Sequence, residues 1–241
     1  MVGVSYFTGG AKIKFYIYDN GSSDNLREIL EPYIKSGIVE YKYFPGKKMQ
    51  LFAYRDAVKR YKNKTQWMAF IDLDEFIVPT GSETIIDFLK DFDDCSQIVI
   101  PWVIYGSSGH KTTPEGLVME NYKYRAKDGH RTSHKSIVNP RNIFQVTCHS
   151  CNVAGKTLNQ YKQVLCFPFF DASNRERIRI NHYYCKSLES FEKRRMKGEA
   201  WNGYDNREDD FEKRDRNEVF DPIMDKYIEP VKQAIKQRRN R

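Results

Sequence analysis

Three acids close a short apolar run, and their spacing is the first place in this chain where chemistry could be done. Trp67-Met-Ala-Phe-Ile71 has the length and composition of a strand buried on both faces, and Asp72, Asp74 and Glu75 follow at once. Residues two apart on a strand share a face, so Asp72 and Asp74 are expected to project together from its end. Two carboxylates at the mouth of a buried strand call for positive charge. A divalent cation accepts carboxylate oxygens as hard ligands and shares its other positions with phosphate oxygens and water. The alternative is an acidic strand end followed by a turn. A strand that continued would send Glu75 to the opposite face.

A second constellation is Asp19-Asn-Gly-Ser-Ser-Asp24, at the junction of a predicted strand and a predicted helix. An aspartate there can accept from a ring N–H and from ribose hydroxyls of a nucleotide, with Asn20 and Ser22 beside it and a helix N-terminus behind. The competing reading is an Asx turn that caps the helix. Neither Gly-x4-Gly-Lys-Ser/Thr nor Gly-x-Gly-x-x-Gly occurs, which disfavours a P-loop or a dinucleotide fold. Lys135 sits in a predicted strand as a point charge for a phosphate, with Arg131 and Lys156 weaker choices. His182, at another strand end, could complete a metal site as a neutral imidazole or be structural. Cys148-His-Ser-Cys151 lacks a second Cys/His pair at finger spacing, so zinc is not expected.

These groups must be positioned by regular elements. Lys12–Tyr18 and Val39–Phe44 read as strands, with a helix between them whose apolar positions are Leu26, Ile29, Leu30, Tyr33 and Ile34. Ser22 or Ser23 is its expected N-cap, Pro32 its expected kink and Gly37 its stop. Met49–Tyr61 reads as a helix carrying Gln50 and Arg55. Strand, helix, strand, helix, strand implies a mostly parallel twisted sheet flanked by helices. Asp19, the Pro45–Gln50 turn and Asp72/Asp74 then meet at one edge. Further on come a helix at Thr84–Phe92, a strand at Gln97–Ile104, short strands of a mixed or antiparallel extension over Leu117–Val146, a brief strand at Arg177–Asn181, and helices at Leu188–Lys197 and Asp221–Arg239. Residues Met1–Ala11 show no clear strand. His110, on a glycine-flanked loop, and Glu120 and Asp128 lie where an acceptor side could form.

The chain has 241 residues, 40% of them hydrophobic and 14% aromatic, enough for one large domain and against global disorder. No run approaches the roughly eighteen apolar residues of a membrane span, and the start does not read as a signal peptide. Five cysteines with no dense framework point to free thiols and a reducing compartment. Forty basic against 32 acidic residues give a net charge of +8 and favour anionic partners. This charge and the aromatic content leave a non-catalytic nucleic-acid-binding protein as an alternative. The excess is weighted to the C-terminus, however, and no recognition-module signature appears, so nucleic acid is not the expected partner.

Phe15-Tyr-Ile-Tyr-Asp-Asn-Gly-Ser-Ser-Asp-Asn25 and Phe70-Ile-Asp-Leu-Asp-Glu-Phe-Ile-Val-Pro79, in that order, resemble glycosyltransferase family 92 and its bacterial relatives, within the glycosyltransferase A fold. Trp102 with Tyr105-Gly-Ser-Ser-Gly-His110, His134-Lys-Ser-Ile-Val-Asn-Pro140, His149, and Ile180-Asn-His-Tyr183 with Lys186-Ser187 look like that family's later motifs. The likeness runs over about residues 15–198. It departs where family members begin, since the strand and Lys-Asn-Glu loop that precede Tyr-Asp-Asn-Gly-Ser are not found here.

The resemblance implies a metal-dependent hexosyltransferase, galactose being the expected sugar, that uses a UDP-sugar and acts on a glycan or lipid-linked saccharide with inversion. Asp19, Asn20, Ser22, Gln50, Arg55, Asp72 and Lys135 would bind the nucleotide. Asp72 and Asp74 would hold Mn²⁺ or Mg²⁺ with His182 as third ligand, and the catalytic base would come from His110, Glu120 or Glu75. Residues 1–200 would be the transferase domain, with 12–104 the nucleotide half and 105–200 the acceptor half. Residues 201–241 would be a basic helical tail able to press on an anionic membrane, from the cytoplasmic side. The same acids would also suit nucleotidyl or phosphoryl transfer.

Overall fold

A computed structural model describes residues 2–8, 12–81, 83–130, 133–166, 175–197 and 210–239. Arg131 and residues 201–209 of the expected tail lie outside the described residues. In chain order the elements begin with β1 (Val2–Thr8), β2 (Lys12–Asp19), α1 (Leu26–Lys35), β3 (Val39–Tyr43), α2 (Gln50–Tyr61), β4 (Trp67–Ile71) and β5 (Glu75–Pro79). They continue with α3 (Ile85–Lys90), β6 (Gln97–Ile104), α4 (Val118–Asn121), β7 (Tyr124–Arg125), β8 (His134–Val138), β9 (Ile143–Val146), β10 (Cys151–Val153) and β11 (Thr157–Leu158). The last are β12 (Ile178–His182), α5 (Leu188–Lys197), α6 (Phe211–Arg214), β13 (Val219–Phe220) and α7 (Asp225–Arg239). The chain divides into two units, residues 1–102 with 132–180 and residues 103–131 with 181–241.

In the first unit the strand order is β3-β2-β1-β4-β8-β6-β12-β5, with β11 added on β6. β2 pairs with β3 in parallel, whereas β1 is antiparallel to both β2 and β4, and β8 is antiparallel to both β4 and β6. β2, β3, β4 and β6 therefore run the same way, and β1 and β8 run against them. The expected mostly parallel sheet is a mixed one because these two strands are interleaved. Val2–Thr8, expected to be unpatterned, is the strand that stands between β2 and β4.

β4 is buried on both faces, as its unbroken apolar sequence predicts. Trp67 and Ala69 join Phe88, Phe92, Ile98, Ile137 and Ile180 in one core, and Met68 and Phe70 join Tyr16, Tyr18, Tyr54 and Tyr61 in the other. Each large aliphatic or phenyl side chain among them contributes roughly 1.5–3 kcal/mol by leaving water. α2 supplies its Ala53, Tyr54, Ala57 and Tyr61 stripe to the second core. α1 runs on through Pro32 because Leu30 and its apolar neighbours pack on Ile17 and Val39. It stops where Gly37 takes φ +71 and Ile38 N donates back to Tyr33 O at 3.0 Å.

The second unit is held by polar contacts around β7 and β13. Arg125 Nε donates to Asp221 at 2.7 Å, and its Nη1 reaches Asp128 at 2.8 Å. Lys123 pairs with Asp225 at 2.8 Å, at the start of α7. α7 packs against α4, so the expected tail helix is part of this unit's body. Among the described residues no helix is long and apolar enough to cross a membrane.

Candidate active site

β4 ends at Ile71, and the chain turns immediately. Glu75 N donates to Asp72 O at 3.1 Å, and Asp72 N donates to Glu75 Oε2 at 2.8 Å. The alternation of a strand therefore does not carry through Asp72–Glu75. Glu75 folds back beside Asp72 instead of pointing to the opposite face, while Leu73 turns outward.

The cation that this carboxylate pair requires is supplied by the protein. Lys135, at the second position of β8, places Nζ 2.9 Å from Asp72 Oδ2 and 3.5 Å from Glu75 Oε2. Gln50, the first residue of α2, donates Nε2 to Asp72 Oδ1 at 2.8 Å and stands 3.2 Å from the Tyr54 hydroxyl. The Lys135 side chain is 2% exposed and that of Glu75 is fully buried, whereas Asp72 keeps 33% of its side chain open to solvent.

Burial pushes the Glu75 carboxyl up to about 8, against the pull of the Lys135 ammonium. Burial alone would lower Lys135, but Tyr54, Asp72 and Glu75 around it hold its ammonium well above the usual lysine range. Glu75 Oε1 is buried with no hydrogen-bond partner among the described residues, as suits a carboxyl that favours its neutral form. One ammonium thus balances one carboxylate, and the second acid stays close to neutral.

Asp74 lies half-buried in the same turn. Asp72 and Asp74 offer the oxygen chemistry a divalent ion requires, and the open face of Asp72 leaves it an approach. Among the described residues no three His, Cys, Asp or Glu side chains form a ready-made cluster for a metal. An ion held here would take most of its coordination from phosphate and water.

Asp19 ends β2, which runs in the same direction as β4. Its Oδ2 accepts from the Tyr41 hydroxyl at 2.6 Å, and its Oδ1 from Ser22 N at 2.8 Å. Burial pushes this carboxyl up, but the hydrogen bonds from Tyr41, Ser22 and Gly21 outweigh it and hold the group below its ordinary range. Asp19 is thus the pivot of an Asx-type turn. That turn draws Ser22 away from the helix, so the N-cap of α1 is Asn25 and not Ser22 or Ser23. Asn20 Oδ1 is buried without a partner among the described residues.

Among the expected residues of the same unit, Arg55 separates from this centre. Arg55 is on the outer face of α2, over the Phe52 ring at 5.7 Å, because it lies some 140° around the helix from Gln50. In the second unit, His110 Nε2 stands 3.2 Å from Asn121 O. Glu120 is ion-paired with Lys232 of α7, and that hydrogen bond draws its carboxyl below the usual range. His182 closes β12, buried and edge-on to Tyr184 at 5.5 Å. The partners of Asp72 and Asp19 were not anticipated from sequence. A lysine inside His134-Lys-Ser-Ile-Val138 was the signal for one of them, since a lysine in a core strand needs a buried acid.

A family model for glycosyltransferase family 92 matches residues 9–225. A galactan beta-1,4-galactosyltransferase of Arabidopsis thaliana is 28% identical over 184 residues, which is 70% of this chain and 36% of that protein. A second of the same description and organism is 27% identical over 192 residues, 73% of this chain and 37% of its own length. A glycosyltransferase family 92 protein of Oryza sativa subsp. japonica is 30% identical over 131 residues, 53% of this chain and 22% of that protein. The chain therefore spans little more than a third of the first two relatives. With the family's pattern carried from residue 9 to residue 225, this chain belongs to glycosyltransferase family 92.

Proposed function

We propose that this chain transfers a hexose, galactose first among the choices, from a UDP-sugar to a hydroxyl of a glycan or lipid-linked saccharide, with inversion at the transferred carbon. The observation that carries this reading is the Asp72 centre. A half-open carboxylate stands beside Asp74 at the carboxyl end of a buried strand, in a chain of family 92 whose relatives are named galactosyltransferases.

In this reading Asp72 and Asp74 hold Mn²⁺ or Mg²⁺. The ion, when bound, supplies Lewis-acid charge for the departing diphosphate. Lys135 and Gln50 fix the Asp72 carboxylate in one orientation before the donor arrives. Glu75, its side chain fully buried, positions that pair and does not touch the acceptor. Asp19 keeps the turn at Asn20–Ser22 in shape for the nucleoside. His110 takes the acceptor proton: with Nε2–H directed at the Asn121 carbonyl, Nδ1 is its basic nitrogen.

The test is calorimetry with UDP, with and without Mn²⁺, followed by UDP release from a panel of UDP-sugars. D74A should weaken UDP–Mn²⁺ binding at least about tenfold, ~1.4 kcal/mol. Equal binding by D74A and the unaltered chain ends the assignment.

A further inference from the structure

The outer face of α2 carries chemistry that the transfer reaction does not use. Phe52, Arg55, Lys59 and Lys62 recur at helical spacing on the side opposite to the buried Ala53, Tyr54, Ala57 and Tyr61 stripe. With β9 this face borders an open groove of about 440 Å³. Val58 and Ile143 contribute apolar lining, and Arg55, Lys59, Lys62 and Phe144 make up much of the rest. The groove residues include no acid. None of the three cations is ion-paired among the described residues, although nearby Lys42 and Arg60 are taken by Asp56 and Glu40. Two aromatic rings stand out of this basic field, Phe144 78% exposed and Phe52 53% exposed.

Cations left without acids, with exposed phenyl rings on the same face, match a surface that is anionic outside and apolar just beneath. A soluble phosphate would use the three charges and leave both rings in water. We propose that the α2–β9 face is a docking surface for an anionic phospholipid bilayer, with Arg55, Lys59 and Lys62 against headgroup phosphates and Phe144 and Phe52 seated below them. The C-terminal helix, where a basic membrane contact was expected, is less suited, because its Lys232 is already held by Glu120.

Co-sedimentation with vesicles of phosphatidylcholine alone, or with phosphatidylserine added, tests this directly. The unaltered chain should pellet with the anionic vesicles only, and release as salt rises. Each surface cation contributes roughly fivefold to partitioning, so R55Q/K59Q/K62Q should bind about a hundredfold more weakly. F144S, which touches no core, should also weaken binding, while K226Q/K236Q in α7 should not. Melting curves confirm that each variant folds. The proposal is overturned if the unaltered chain ignores anionic vesicles, if the triple variant still binds, or if F144S binds fully and inorganic phosphate competes, which would make the groove a phosphate site.

Discussion

Asp19 and the Asp72–Glu75 pair lie at the ends of strands that run the same way, yet they are stabilised by opposite means. Asp19 is buried against neutral donors, a phenol and backbone N–H groups, and stays charged with no counter-ion among the described residues. Asp72 and Glu75 are compensated by an ammonium that is itself sealed from water. A single carboxylate can be satisfied by dipoles. Two at one place cannot, so the fold recruits a cation and leaves one acid close to neutral.

The sharpest way to break this comparison is to remove the cation. K135M leaves the Asp72 carboxylate beside a second, buried acid with no cation and should cost about 3–5 kcal/mol, read from denaturant or thermal unfolding. If it unfolds the chain outright, K135R keeps the charge and should recover most of the loss. At Asp19 the matching change is smaller. D19A strands the Tyr41 hydroxyl and the Ser22 N–H and should cost about 1–3 kcal/mol, with no gain from added salt. Y41F removes one hydrogen bond to a charged carboxylate and should cost about 1.5 kcal/mol.

Titration sharpens the contrast, because the two acids respond in opposite senses. Glu75 has a folded-state value raised to about 8, so its contribution is complete below its unfolded value near 4.5 and is lost as pH rises toward 8. Asp19 has a lowered value, so its contribution is present above its unfolded value near 3.8 and is lost as pH falls below it. Stability measured against pH should therefore lose its neutral-range slope in E75Q and its acid-range slope in D19N.

What the sequence discloses follows the strength of local pattern. β4, β6, α2 and α5 are legible nearly to the residue because their periodicity and burial agree. β1 was not, since Gly3 and the glycines at 9 and 10 mask a strand that exists by pairing with both of its neighbours. The acidic pair was legible as a place that needs positive charge. Its geometry was not, because a turn three residues long replaced the alternation of a strand, and because Lys135 comes from sixty-three positions along the chain. Arg55 shows the same limit: proximity to Gln50 in sequence became separation around a helix.

β1 carries a consequence for the integrity of the sheet. β2 and β4 nowhere bond to each other, and each finds its backbone partners on that side in Val2–Thr8 alone. Detaching this ribbon would split the sheet into a two-stranded flap and a larger remainder, each with a raw seam of unpaired amides and carbonyls. Such seams zip onto copies of themselves, so clipping the chain ahead of Lys12 is expected to turn a dispersed protein into an aggregating one, visible as light scattering before any loss of helix.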